Sequence, residues 1–410
     1  MDLAAQYVAA LDGVLHRAYL MAPDDLPRVV ADGAGKLGAS AAVLYLIDHE
    51  QQVLTPVLSG LTEIREVLNV EGTVAGRAFR LIEVQDVEAG DEQRPLRRLW
   101  LPLVDGVERL GVVEYVVEGA PLTAEHLRAF RQLAHLAAEL LLSNSKYSDV
   151  FHWTRRRQPM ALPAEMQYAL LPPLTFGTDR VIISGLLAPA YEVGGDAFDY
   201  ALNGNVAHVA IFDAVGHGLH ASLLTTLAVS AYRNSRRAGL PLLETAHVID
   251  TTLLEGFGPE RYVTALLGQL DVETGRYSWL NAGHPDPMLL RDGRLVKELS
   301  CQPGLPLGMG DLAGPNGPQY VVCEEQLQPG DLLLLLTDGV DEARAEDGSF
   351  FGRDRLAEFA ARELASGLPT PEVMRRLQAA ILRHQVGKLQ DDATTLFVEW
   401  LPPQPQAIVP

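Results

Sequence analysis

The sequence predicts an α+β chain with two domains, each built on antiparallel strands. Its 410 residues suffice for two or three domains, and 48% of them are hydrophobic, as in ordinary globular cores. Short strand-like runs are grouped around hairpin turns, which favours antiparallel pairing. In the C-terminal half the helical windows come in pairs, as required to cover both faces of stacked sheets. We therefore expect a helix-flanked antiparallel sheet, a helical linker and an α-β-β-α sandwich.

Residues 1–145 carry the signals of the first sheet. Helical spacing of apolar residues marks 1–20 and 26–37, and residues 72–79 are typical of a loop that opens a short helix. The strand-like runs, which turn signals group into two hairpins, are Ala41–Ile47, Val53–Leu58, Leu99–Val104 and Gly111–Val117.

Residues 146–174 are predicted to be a helical linker. A strong helix over 122–142, with Thr123 as its N-cap, precedes it and either packs on its own sheet or forms a dimer contact. Residues 143–160 are polar, and Arg155-Arg156-Arg157 there is interpreted as a solvated stretch. A second helix is expected over Ala164–Leu171, with Pro163 in its first turn.

Residues 175–402 form the predicted sandwich, and 403–410 are a Pro-rich tail. The predicted strands are Val181–Leu187, Val206–Phe212, Tyr262–Leu270, Tyr277–Leu280, Leu332–Leu336 and Thr394–Trp400. The predicted helices are Ala221–Arg237, Leu242–Leu254, Asp354–Leu364 and Pro371–Leu382.

Composition excludes several function classes. The formal net charge of −20 argues against nucleic acid as a partner, because neutralising phosphates needs clustered Lys and Arg. The two cysteines, Cys301 and Cys323, are too few for a disulfide framework or a cysteine-rich metal site, and they fit a reducing cytoplasm. No apolar stretch approaches the ~20 residues that span a bilayer, and Met1-Asp2-Leu3 does not open a signal peptide. We expect a cytoplasmic protein without membrane insertion.

Four aspartates are the candidate catalytic and metal-binding residues. Asp196, Asp213, Asp338 and Asp391 each lie against small residues at the end of an apolar run. A carboxylate at the end of a buried strand costs folding free energy unless it has a partner. Mg²⁺ and Mn²⁺ are suitable partners because they prefer oxygen ligands. Two ions roughly 3.5–4 Å apart could clamp a phosphate and activate a water, so that no protein nucleophile is needed. A structural Ca²⁺ site is the alternative.

The N-terminal segment resembles a GAF sensor domain. The matching pieces are Gly72–Phe79 and Trp100-Leu101-Pro102-Leu103 leading to Leu110-Gly111-Val112-Val113. The alternative is a PAS-like domain. The resemblance implies a small-molecule ligand, which the sequence does not identify, and excludes a thioether-bound bilin because no cysteine lies here.

The stretch 165–400 resembles the SpoIIE/RsbU-type members of the metal-dependent Ser/Thr protein phosphatases (PPM, protein phosphatase 2C-like). Eight motifs occur in family order: the helix ending Leu170-Leu171-Pro172, Val193–Tyr200, Asp213–Gly218, Thr264-Ala265, Asn281–Pro285, Leu305–Gly308, Thr337–Val340 and Asp391–Thr394. The resemblance implies two Mn²⁺ or Mg²⁺ ions. Their ligands would be Asp196, Asp213, the Ala214 carbonyl, Asp338 and Asp391.

Neighbouring residues of these motifs complete the candidate site. They are Gly195, Gly216, His217, His284, Thr337, Gly339, Asp392 and Asp199. His217 either hydrogen-bonds within its turn or takes part in catalysis, and His284 is either a structural hydrogen-bonding residue or a general acid. Asp199 either supports the site or is exposed, Asp392 would hold a metal water, and Thr337 and Thr394 would orient the adjacent carboxylates.

The resemblance implies a phosphoserine or phosphothreonine phosphatase of bacterial signalling. Its substrate would be a phosphorylated STAS-domain anti-anti-sigma protein, and the GAF-like domain would gate it through the helices at 122–142 and 164–171, in a homodimer. Two other functions stay open. One is a catalytically silent sensor or scaffold of a partner-switching pathway, although such proteins usually lack a metal carboxylate; the other is a hydrolase of small phosphoesters.

Overall fold

The computed structural model describes every residue except 1–2, 59–64, 91–94, 120–121, 189–190, 192–193, 315–318, 342, 346, 386–391 and 403–410. The chain divides into two compact units, residues 1–159 and 160–410. In neither unit does a described helix have the length and apolar character needed to cross a membrane.

The first unit is built on one antiparallel sheet with helices on its faces. Its helices are Leu3–Ala18 (α1), Leu26–Lys36 (α2), Val74–Leu81 (α3), Ala124–Asn144 (α4) and Val150–Thr154 (α5), with a 3-10 turn at Pro23–Asp25. Its strands are Ala39–Ile47 (β1), Val53–Pro56 (β2), Leu68–Asn69 (β3), Gln85–Glu88 (β4), Leu96–Asp105 (β5) and Glu108–Glu118 (β6). Among the described residues the strand order is β3-β2-β1-β6-β5-β4. The two predicted hairpins are confirmed, since β1 pairs with β2 and β5 with β6.

Helix α4 begins directly after Thr123, the residue predicted to be its N-cap. The hydroxyl of Thr123 accepts a hydrogen bond from the His126 amide, which caps the helix. Arg157, the last of the three arginines, is exposed, as a solvated stretch predicts. Its guanidinium lies 3.0 Å from the Glu50 carboxylate, because α5 brings the run back against the turn between β1 and β2.

The second unit has two sheets and the helices that cover them. Its helices are Leu162–Leu170 (α6), Leu219–Arg237 (α7), Leu242–Phe257 (α8), Asp338–Asp341 (α9), Arg353–Ala365 (α10) and Thr370–His384 (α11), with a 3-10 turn at Gly310–Ala313. Its strands are Thr175–Gly177 (β7), Val181–Ala188 (β8), Asp196–Asn203 (β9), Val206–Ala214 (β10), Val263–Asp271 (β11), Arg276–Ala282 (β12), Met288–Arg291 (β13), Arg294–Glu298 (β14), Val322–Gln326 (β15), Leu332–Leu336 (β16) and Ala393–Trp400 (β17).

The predicted α-β-β-α sandwich is confirmed. Within the described residues one sheet has the order β15-β12-β11-β10-β9 and the other β14-β13-β16-β17-β8-β7. A core of side chains from both sheets fills the space between them, including Phe198, Ile211 and Leu396. A second core packs α7 and α8 on the first sheet, and a third packs α10 and α11 on the other. The layering brings the ends of β9, β10 and β16 toward one edge.

The structure pairs the two cysteines, a contact that the sequence analysis did not predict from their number. Cys301 and Cys323 form a disulfide, with their Cα atoms 5.9 Å apart. Cys301 follows β14 in the loop that leads to β15, and Cys323 lies in β15. The disulfide therefore joins the loop after β14 to β15, across 22 positions of the sequence. The number of cysteines alone does not reveal this contact.

Candidate metal centre

Two of the four predicted ligands meet as neighbours on adjacent strands. Asp196 begins β9, Asp213 lies one residue before the end of β10, and the two are paired residues of the antiparallel ladder. Paired residues of an antiparallel ladder project to the same face, with Cβ atoms about 4.5–5.5 Å apart. The strand register therefore places two carboxylates side by side.

Burial makes this juxtaposition electrostatically costly. Asp196 is only 3% exposed, and its pKa is raised well above the usual value, first by burial and then by the Asp213 and Asp392 carboxylates. Two negative neighbours around a buried carboxyl group disfavour its ionised form, and a bound cation reverses that preference. The electrostatic repulsion among these carboxylates therefore fits a site for a divalent cation.

The hydroxyl of Thr337 joins the second sheet to this cluster. It donates a 2.6 Å hydrogen bond to Asp196 Oδ2 and accepts one from the Thr394 amide at 3.0 Å. Thr337 thus contacts Asp196, on the other sheet, although the sequence suggested the adjacent Asp338. Asp338 itself is exposed at the start of α9.

Asp392 holds the glycine turn that precedes Asp196. Its Oδ2 accepts hydrogen bonds from the amides of Gly194 and Gly195, both at 2.6 Å, and lies 3.4 Å from the Asp196 amide. A side chain on Gly194 would come within 2.6 Å of the Gly218 amide nitrogen, and one on Gly339 would overlap the Asp392 carbonyl oxygen. These glycines are therefore required by close packing of the backbone. Asp392 binds amides where the sequence suggested a metal water.

The remaining predicted residues surround the cluster. The Ala214 carbonyl oxygen faces Gly195, where a Cβ would lie 2.9 Å from it. Gly216, with φ of +88°, and the exposed His217 form the turn from β10 to α7. Asp391 lies outside the described residues. Among the residues that the structure does describe, no three Asp, Glu, His or Cys side chains converge closely enough to hold a metal by themselves.

Asp199 is buried, so the interpretation of it as an exposed residue is wrong. It is 1% exposed, and its carboxylate lies 2.6 Å from the Arg233 guanidinium and 2.5 Å from that of Arg236. Arg233 also donates to the Leu170 carbonyl at the end of α6, at 2.6 Å. Asp199 therefore anchors α7, and through it α6, to the strand that begins with Asp196.

Gln167 on α6 was missed by the sequence analysis. Its side chain is fully buried, and its Nε2 donates a 2.7 Å hydrogen bond to the Asp196 backbone carbonyl. A polar residue on the inner face of a short helix was the available signal, but nothing in the sequence indicated its partner. The helix that the sequence assigned to the linker thus contacts the backbone of a candidate ligand.

His284 lies at the same edge, in the crossover from β12 to β13. It is 5% exposed, and burial lowers its pKa to about 3, so the ring is neutral at pH 7. Its Nδ1 lies 2.8 Å from the Thr264 hydroxyl and its Nε2 3.0 Å from the Leu336 carbonyl. These contacts place the ring between the two sheets.

Comparisons with known proteins find similar sequences for most of the second unit. Residues 203–401 match the family described as Stage II sporulation protein E (SpoIIE). The phosphoserine phosphatase RsbU of Bacillus subtilis is 21% identical over 243 residues, which are 59% of this chain and 70% of RsbU. The phosphoserine phosphatase RsbP of the same organism is 26% identical over 172 residues, 41% of each chain. A solved structure of the RsbU and RsbW domains of Rv1364c from Mycobacterium tuberculosis is 26% identical, with a TM-score of 0.47, and the match covers 55% of this chain and 63% of that one.

Proposed function

We propose that the protein is a metal-dependent phosphatase of phosphoserine or phosphothreonine proteins, and the match of residues 203–401 to the SpoIIE family supports this proposal. The observation that carries the proposal is the buried Asp196 carboxyl group, crowded by Asp213 and Asp392 at one edge of the sandwich. A buried carboxyl group beside two further, partly exposed carboxylates suits a cation better than it suits any neutral ligand.

The residues that would hold two Mn²⁺ or Mg²⁺ ions are Asp196, Asp213, the Ala214 carbonyl, Asp338 and Asp391. Bound there, such ions would supply Lewis acidity toward a phosphoryl oxygen and would lower the pKa of a coordinated water toward neutrality. Thr337 orients Asp196 through its hydroxyl, and Asp392 fixes the turn that presents it. These contacts hold the carboxylates in place before any substrate arrives.

The substrate class proposed is a phosphorylated STAS-domain anti-anti-sigma protein. Two relatives, RsbU and RsbP, are named as phosphoserine phosphatases, which supports phosphoserine as the group that is hydrolysed. In this proposal, dephosphorylation frees the anti-anti-sigma protein to sequester an anti-sigma factor.

Regulation is proposed to reach the site through α6. Gln167 donates to the backbone of Asp196, so a shift of the helix would remove this hydrogen bond and move the ligand. The N-terminal unit, with its GAF-like sheet, would sense a small ligand and pass its state to α6 in a homodimer.

Phosphate release tests the proposal directly. Wild type would be assayed with a chromogenic phosphoester and with a phosphoserine STAS protein, in Mn²⁺ and in EDTA, with Asp213→Ala as the variant. We expect Mn²⁺-dependent turnover that EDTA and the substitution both abolish. Turnover of the small ester alone would indicate a small-molecule hydrolase, and Mn²⁺ binding without any turnover would favour a silent scaffold.

A further inference from the structure

We propose that His284 is a positioning residue, which ties β11, the strand paired with that of Asp213, to the strand that leads into Asp338 and thereby sets the affinity of the site for its divalent cation. The inference rests on the proposed metal centre. It assigns to His284 a role in metal binding without direct contact to the metal or the substrate.

The contacts of the ring define its hydrogen positions. A backbone carbonyl can only accept, so Nε2 must carry the hydrogen that is donated to Leu336. In a neutral imidazole the other nitrogen is then an acceptor, and Nδ1 receives the hydroxyl hydrogen of Thr264. The ring therefore makes one directed hydrogen bond to each sheet.

Both partners lie next to candidate ligands. Thr264 in β11 is the residue paired with Asp213 across the ladder. Leu336 is the last residue of β16, followed directly by Thr337 and Asp338. A change in the spacing between Thr264 and Leu336 therefore changes the spacing between the two aspartates.

The neighbourhood holds the imidazole rigidly. The amide of His284 donates to Asn281 Oδ1 at 2.8 Å, and Asn281 Nδ2 donates to the His284 carbonyl at 2.8 Å and to Asp286 Oδ1 at 2.9 Å. Gly283 before it adopts φ of +72°, a conformation that favours glycine. The backbone of the crossover is thus held to the end of β12 in the first sheet, and the Nε2 contact to Leu336 reaches across to the second sheet.

Directed contacts are needed here because the core between the sheets is apolar. Apolar packing depends on area and has no direction, so it tolerates small sliding of one sheet over the other. Metal ligands tolerate much less, since a cation site depends on the placement of its oxygens. Thr337 with Asp196 and His284 with Thr264 and Leu336 are two polar bridges that restrict such sliding at the metal edge.

The test measures Mn²⁺ affinity of the full chain by calorimetry, without substrate, together with thermal unfolding in EDTA. The variants are His284→Ala, His284→Gln, whose amide nitrogen can donate to Leu336 in place of Nε2, and Thr264→Val, which keeps the side-chain volume. His208→Ala is the matched control, because His208 is a half-buried histidine at the other end of β10, where its ring lies 3.5 Å from the Gln269 side chain.

We expect His284→Ala to raise the Mn²⁺ dissociation constant about 10- to 100-fold, the range found when groups that support metal ligands are removed. His284→Gln should recover most of that loss, Thr264→Val should show part of it, and His208→Ala should bind as wild type does. Unchanged affinity in His284→Ala would overturn the proposal. If that variant does not fold in EDTA, unchanged affinity in a folded Thr264→Val has the same meaning. A wild type that binds no Mn²⁺ would instead refute the metal centre itself, and this inference with it.

Discussion

Replacing Thr337 by valine tests the bridge between the sheets most simply. Valine keeps the shape of threonine but removes the hydroxyl, which donates to Asp196 Oδ2 at 2.6 Å and accepts from the Thr394 amide at 3.0 Å. All three residues are buried. The substitution therefore removes this donor from the Asp196 carboxyl group and leaves the Thr394 amide without its side-chain acceptor.

The magnitude follows from these two contacts. A hydrogen bond to a charged group contributes about 1.5–3 kcal/mol, and a buried amide left unpaired costs about 1–3 kcal/mol. Because the two contacts share one oxygen they are not additive, and we expect a loss of about 3 kcal/mol in local stability. That corresponds to a roughly 100-fold larger equilibrium constant for opening of the two bridged strands, and so to roughly 100-fold faster exchange.

Hydrogen–deuterium exchange of peptides from β9 and β16 measures this opening in the metal-free chain. Thr337→Ser is the control, since it keeps the hydroxyl and loses only a methyl group, worth about 1 kcal/mol. Exchange in Thr337→Val within about threefold of wild type would refute the bridge, because that difference is below about 0.7 kcal/mol.

Three further predictions follow from the packing and the charges. Gly339→Ala should abolish turnover, because a Cβ there overlaps the Asp392 carbonyl oxygen; wild-type kinetics would contradict the close approach. Asp199→Asn should destabilise the protein by about 3 kcal/mol in thermal unfolding, since it leaves two arginines of α7 beside a neutral group, and an unchanged melting temperature would exclude this. Burial, followed by neighbouring positive charges, lowers the pKa of His49 from 6.5 to about 3. The stability that neutral His49 contributes is therefore complete above pH 6.5 and lost as the pH falls toward 3. His49→Gln should flatten that part of the stability–pH curve, and a curve that keeps its slope between pH 3 and 6.5 would contradict this.

The sequence predicted the architecture because its signals are local. The alternation in β10 and β11 and the helical spacing in α7 and α8 appear within ten to twenty residues. β9 escaped prediction because its eight residues include two aspartates, Asp196 and Asp199. Each is compensated by partners on other elements, which a reading of propensity along the chain cannot include.

The candidate ligands could be proposed because motifs place each of them at the end of an apolar run of the sequence. Their partners were not found, since Gln167 lies 29 residues from Asp196 and Thr337 lies 141 residues from it. The disulfide between Cys301 and Cys323 was missed for the same reason. Such contacts depend on how sheets stack, which the order of residues specifies only through the completed fold.

Asp338→Asn offers the most direct test of the central claim that these carboxylates hold a divalent cation. Turnover of a phosphoserine STAS protein would be measured over a range of Mn²⁺ concentrations, with Asp311→Asn, a change in the 3-10 turn at Gly310–Ala313, as the control. The proposed metal role predicts that Asp338→Asn loses turnover at least about 100-fold while Asp311→Asn keeps it, because the amide is a poorer ligand for a hard cation. Full turnover by Asp338→Asn, at the Mn²⁺ concentration that half-activates wild type, would contradict the account.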